Sequence, residues 1–351
     1  MNNNSEIRET AIETQNLRKS FGEPFSFKRL LKFPLEIIAH LSGRYKRKEV
    51  LKDLSFTVPR GSAVGFLGPN GAGKSTTLKV ILNLIKKDAG KCFILGFDTA
   101  YKYDEALKST GALVELPVFY EYMSGYDNLL ITSHIFTHIT PENINEALKK
   151  VGLYEHKSKK VSQYSTGMRQ KLYVAKILLM NPEIIILDEP TSGMDPKGQA
   201  EMRELLKNLT QNNDTTVLIS SHLLYEIEQV CDHVVIIQSG EVVACGRVSE
   251  LLATEYETYE LEIRQDAIKE CLARLSASPY IAGAEEILRG NEPLIFLKIK
   301  DKNSSKVLKN IIENGFEVFN FTRVKKSLEE FFLNVTDSAA NGDNNDIGPK
   351  Q

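Results

Sequence analysis

The residues with the clearest chemistry are Gly68-Pro69-Asn70-Gly71-Ala72-Gly73-Lys74-Ser75, which fit GxxxxGK[ST] at every fixed position. Glycines at these places let successive backbone N–H groups converge on phosphate oxygens, and a helix starting at the lysine adds its dipole. The pattern expects Lys74 to reach the outer phosphates of a nucleotide such as ATP, Ser75 to bind Mg²⁺, and Thr76 to extend the cradle. A second pair of groups follows the apolar run Ile184-Ile185-Ile186-Leu187. Asp188 at the end of that run suits a magnesium-site carboxylate, and Glu189 beside it suits a general base for an attacking water. Alone, Asp188-Glu189 reads as an ordinary acidic turn; beside a complete phosphate loop, the chemical reading is preferred.

Positioning these groups requires strands that end on one edge. Short strands are expected over 11–21, 50–58, 62–67, 183–188 and 216–220, and helices over 74–85, 126–138, 141–151, 167–180, 196–209 and 222–230. The alternation implies a mainly parallel α/β sheet, and a phosphate loop between strand and helix implies a P-loop NTPase. Beyond residue 255 the order becomes strand, helix, two strands, helix, strand and a last helix over 327–334. That order predicts a small α+β, ferredoxin-like domain. The segment Asp337–Gln351 is small and polar and is expected to be disordered.

The chain has 351 residues, enough for two domains, and a formal charge of −2, which argues against a dedicated nucleic-acid binder. Cys92, Cys231, Cys245 and Cys271 are scattered without CxxC spacing, the pattern of reduced thiols. No apolar stretch long enough to span a bilayer is present, and Met1–Thr10 has no signal-peptide core.

Further residues carry a resemblance to ATP-binding cassette (ABC) transporter ATPases. Tyr164-Ser165-Thr166-Gly167-Met168 resembles the family's signature segment, with departures at Tyr164, Thr166 and Met168. Ser192-Gly193-Met194-Asp195 resembles the D-loop and Ser220-Ser221-His222 the switch segment. The resemblance covers about residues 11–252. It implies that Ser165, Thr166, Gly167 and Asp195 reach a nucleotide held by a second ATPase subunit, and that His222 meets the γ-phosphate. Phe21 takes the place of the aromatic that stacks on adenine, although a core phenylalanine explains it too. Glu115 stands where the family commonly has glutamine, and a carboxylate there can still bind Mg²⁺. Glu115, the form of the signature and the ending Ser327-Leu328-Glu329-Glu330-Phe331-Phe332-Leu333 are similar to the ABC-2 exporter group, bacitracin-resistance types included.

The implied organisation is an ABC ATPase domain over 1–252, with an antiparallel β subdomain and a helical subdomain over about 116–180. A ferredoxin-like accessory domain over 256–336 and the tail over 337–351 follow. Inside the first domain, residues 23–48 form an insert with seven basic residues against two acidic ones. Phe27, Leu30, Leu31, Ile38 and Leu41 recur at helical spacing, and Pro34 should divide the helix. Such a stripe suits a membrane interface or a permease surface, so residues 25–47 are expected to touch the membrane; a helix packed on its own domain is the alternative. The insert is loosely similar to one in polysaccharide exporters. The resemblance further implies a separate membrane permease, a homodimeric or heterodimeric ATPase pair, and a location at the cytoplasmic face of the cell membrane. The competing reading is a soluble ABC-type ATPase acting on ribosomes or DNA, and it lacks the expected paired cassettes or long coiled coils. Cargo stays open.

Overall fold

A computed structural model describes residues 9–22, 47–115, 118–136, 139–211, 215–254, 256–290, 292–300, 303–324 and 326–341. The insert lies outside them except for Arg47 and Lys48, which open a strand. The chain divides into two compact units, Met1–Val248 with Phe332–Gln351, and Ser249–Phe331.

The first unit begins with β1 (Thr10–Gly22) and β2 (Arg47–Pro59), followed by β3 (Ala63–Leu67), α1 (Lys74–Ile81), β4 (Ala89–Ile94) and β5 (Phe97–Asp98). Next come α2 (Tyr103–Leu107), β6 (Thr110–Leu113), α3 (Gly125–Ile135), α4 (Pro141–Lys150) and α5 (Thr166–Leu178). The series continues with β7 (Ile184–Asp188), α6 (Pro196–Gln211), β8 (Thr216–Ser221), α7 (Leu224–Val230), β9 (His233–Gln238) and β10 (Glu241–Arg247), and α8 (Val248–Leu251) starts at the boundary and runs into the second unit. Strands β2-β1-β4-β5 form an antiparallel sheet, and β10-β9-β3-β8-β7-β6 a six-stranded one. Within the larger sheet β9, β3, β8, β7 and β6 run parallel, and only β10 is antiparallel.

The parallel strands are buried on both faces, which explains their unbroken apolar runs: every residue of β3 is buried, as are Ile184–Leu187 of β7. Both sheets share one core, in which Leu51, Leu54 and Phe56 of β2 join Phe66 of β3 and Leu78 of α1. Two helices of the α3–α5 segment start on reciprocal caps. Ser124 and Asp127 form a capping box at α3; Thr140 and Asn143 form one at α4, with Pro141 in the first turn.

The second unit holds β11 (Glu257–Ile263), α9 (Ile268–Ser276), β12 (Ile281–Arg289), β13 (Glu292–Ile299), α10 (Ser304–Glu313) and β14 (Val318–Val324). Its sheet order, β12-β13-β11-β14 with every neighbour antiparallel, is that of a ferredoxin-like domain. Ile268, Cys271 and Leu275 of α9 and Val307 and Ile311 of α10 are packed into a core with Leu261, Ile295 and Leu297 of the sheet.

Three expectations are corrected. The helix opening at Lys74 stops at Ile81 rather than 85, because Asn83 takes a left-handed conformation (φ 54°). The helix expected from His222 starts at Leu224. The last helix, α11 (Leu328–Asn341), runs into the segment expected to be disordered, and the residues from Phe332 onward group with the first unit, not with the accessory domain.

Candidate functional site

The register of the parallel sheet assembles the site. Leu67 of β3 lies beside Ser221 of β8, and Asp188 of β7 beside Ser220. The phosphate loop, Asp188-Glu189 and the segment ending at His222 therefore leave the same carboxyl edge. β3 is also where the chain switches sides, since β6 lies on one flank and β9 on the other, and such points form ligand crevices in open α/β sheets.

The loop itself needs its glycines. Gly73 has φ 110° at the N-cap of α1, and a Cβ there would lie 2.8 Å from Leu51 Cδ2. A Cβ on Gly68 would lie 2.4 Å from the Ile237 carbonyl oxygen. The turn between β9 and β10 braces the loop, because Gly240 N–H donates to Ala72 O (3.0 Å) and Lys52 N–H donates to Gly240 O (2.9 Å). Pro69, Asn70 and Gly71 are exposed, as is Ser75; Ala72 is buried and Thr76 half-buried.

Lys74 is buried, and its ammonium donates to Gly68 O at 2.7 Å. Burial pushes its pKa down, while Glu189 and Asp188 pull it back up. Glu189 Oε1 lies 3.9 Å from Lys74 Nζ and 3.3 Å from His222 Nδ1. Glu189 itself has φ 47°, an uncommon conformation for a residue with a side chain. Its N–H donates to both the carbonyl and the hydroxyl oxygen of Ser220, each at 3.1 Å, and the Ser220 hydroxyl donates in turn to Asp188. Ser220 thus orients both acidic residues.

The donor set fits magnesium. Asp188 is half-buried at a strand end and Ser75 lies in the first turn of α1, while the described residues contain no group of three or more acidic, His or Cys side chains able to cage a metal. A hard cation held by carboxylate and hydroxyl oxygens, phosphates and water matches that sparse set. The structure pairs Glu115 with Lys79 of α1 at 2.8 Å, a partner the sequence did not reveal. That hydrogen bond holds the Glu115 carboxyl below its ordinary pKa.

Ser165 caps α5, its hydroxyl accepting from Met168 N–H at 3.2 Å, and Ser165 and Thr166 are exposed while Gly167 is buried. Asp195 is exposed before α6 and accepts from Gly198 N–H at 3.2 Å. Phe21 is exposed at the end of β1, with the Lys19 ammonium 5.2 Å from its ring centre.

The ABC transporter family profile matches residues 51–192. A bacitracin transport ATP-binding protein of Bacillus licheniformis, BcrA, is 35% identical over 297 residues, covering 84% of this chain and 95% of the relative. The ABC transporter ATP-binding protein YdbJ of Bacillus subtilis is 35% identical over 304 residues, covering 86% of this chain and 96% of that relative. This chain is an ABC transporter ATP-binding subunit. Among solved structures, an ATP-binding subunit of an ABC transporter is 27% identical with TM-score 0.54, covering 69% of this chain and 92% of that one. A dimeric cassette of the same fold, MJ0796 bound to ADP and Pi, has TM-score 0.55 at 22% identity, covering 68% of this chain and 98% of its own.

As an ABC subunit the chain is an ATPase, and the ribosome or DNA reading has no support. Sequence reasoning singled out His222 in Ser220-Ser221-His222 but missed Ser220, whose hydroxyl reaches Asp188. It also missed two buried side chains that hold the segment after Glu189 from neighbouring helices. Gln170 of α5 donates to Ser192 O at 3.1 Å, and Glu226 of α7 accepts from Thr191 Oγ1 at 2.6 Å. No local motif marks them, since the partners lie far apart in sequence.

Proposed function

We propose that this ATPase powers an exporter through a separate membrane permease, working as one of a pair of ATPase subunits. The observation that carries the catalytic part is the convergence of Lys74, Glu189 and His222 within 3.9 Å contacts at one sheet edge. In this reading Phe21 stacks on adenine, residues 68–76 wrap the phosphates, and Lys74 neutralises charge on them. Ser75, Asp188 and Glu115 would hold Mg²⁺, which would supply Lewis-acid stabilisation of the transferred phosphoryl group. Glu189 takes the proton of the attacking water and His222 meets the γ-phosphate. In a facing subunit, Ser165, Thr166, Gly167 and Asp195 complete the site; the exposed N-terminus of α5 supports an anion there. Because each ATP touches both subunits, binding favours association and hydrolysis releases it.

Transport rests on the relatives' names, and two of them are bacitracin transport proteins while a third, from Streptococcus pyogenes, is a lantibiotic transport protein. Peptide antibiotics are therefore the first cargo class to test. Among the described residues no helix is long and apolar enough to cross a membrane. A peripheral position at the cytoplasmic face, through the permease and residues 25–47, follows from this reading. The test is phosphate release by the purified chain, alone and with vesicles carrying its membrane subunit, scored together with ATP-dependent cargo movement. ATPase activity without stimulation or movement would remove the coupling.

A further inference from the structure

Glu226 is a buried carboxylate that the catalytic reading leaves unused. It sits on α7 at 6% exposure and accepts from Thr191 Oγ1 at 2.6 Å and from Arg203 at 3.2 Å. Thr191, itself 5% exposed, is separated from Glu189 only by Pro190. Glu226 lies four residues beyond His222, in the first turn of the helix that follows it. One buried side chain is thus tied to the chain on both sides of the Glu189–His222 contact.

Glu189 needs such a restraint. A non-glycine residue at φ 47° persists only where its surroundings over-determine it. The Ser220 oxygens hold the Glu189 N–H, and its carbonyl accepts from Ser192 N–H at 3.1 Å. Those bonds fix the backbone locally but do not tie it to α7. Proline restricts its own φ, so the two-residue path from Glu189 to Thr191 has little slack.

We propose that the Thr191–Glu226 hydrogen bond positions Glu189 against His222, making Thr191 and Glu226 positioning residues for hydrolysis. The proposal rests on the assignment of Glu189 to the attacking water. Arg203 has a different part: it compensates the buried charge, so its loss destabilises the fold without freeing Glu189.

The experiment uses the full-length chain with Thr191→Val, Thr191→Ser, Glu226→Met and Arg203→Met, reading phosphate release, affinity for a fluorescent ATP analogue and thermal midpoint. Thr191→Val keeps the shape and removes only the hydroxyl. The expected result is a fall in kcat of about tenfold or more, the scale set by losing a transition-state interaction of roughly 1.4 kcal/mol. Nucleotide affinity and KM stay as in the parent. Thr191→Ser restores turnover, Thr191→Val adds nothing in a Glu226→Met background, which has no acceptor oxygen, and Arg203→Met lowers the thermal midpoint while keeping kcat. If Thr191→Val retains turnover, or loses it only in step with folded fraction, the proposal is overturned. If Glu189→Gln itself retains turnover, it is the catalytic assignment beneath the proposal that falls.

Discussion

Glu189 Oε1 is shared between two neighbours, His222 Nδ1 at 3.3 Å and Lys74 Nζ at 3.9 Å. A carboxylate so placed can accept a proton from water while the buried lysine offsets its charge. Glu189→Gln keeps the shape and removes the basicity. Turnover should fall by about 10² or more, the usual contribution of general base catalysis, with ATP binding retained. Phosphate release and analogue binding measured on the same samples decide it; undiminished release would take Glu189 out of the mechanism.

The exposed Ser165 hydroxyl and the N-terminus of α5 have no γ-phosphate of their own chain assigned to them. In a Glu189→Gln background the chain should dimerise with ATP and not with ADP, and Ser165→Ala with bulky Gly167→Val should abolish the ATP effect. Size-exclusion chromatography with light scattering measures this. A dimer equally stable with ADP would contradict an interface held by the γ-phosphate.

Legibility followed distance along the chain. Ile184–Leu187 was readable because a strand buried on both faces must be apolar throughout. The β4–β5 hairpin escaped because its turn uses Leu95 and Gly96, both with positive φ, and leucine is no turn signal. Contiguous motifs delivered the phosphate loop, Asp188, Glu189 and His222. Pairs such as Ser220–Asp188, Thr191–Glu226 and Lys79–Glu115 are 32, 35 and 36 residues apart and exist only through strand register and helix packing. The motifs name the candidate reacting groups, whereas the side chains that hold them at their distances come from the fold.

Lys79 follows Ser75 by one helical turn, so both face the same side of α1. Its ammonium and an incoming divalent cation would compete for Glu115. Lys79→Met should therefore reduce the Mg²⁺ concentration that supports half-maximal binding of a fluorescent ATP analogue, by about two- to fivefold, the range for a partly exposed pair. In a Glu115→Gln background the same substitution should have no effect. Titrations with MgCl₂ at fixed nucleotide test both. If Glu115→Gln leaves the Mg²⁺ dependence unchanged, Glu115 is not a metal contact.

The insert joins β1 to β2, with Phe21 and Lys48 paired across the strands at its mouth. Its apolar positions, Phe27, Leu30, Leu31, Ile38 and Leu41, would contribute about 1.5–3 kcal/mol each on full burial, enough to hold a peripheral contact. Its basic residues add about 1 kcal/mol each near an anionic surface, and that part fades with salt. Replacing Leu30, Leu31 and Ile38 together by serine should leave phosphate release intact and abolish flotation of the full chain with vesicles containing anionic phospholipid. Raising the salt should weaken the parent's flotation without removing it, because the apolar contribution is not screened. If the triple variant instead loses its thermal transition, the stripe belongs to the core of the ATPase domain and makes no membrane contact.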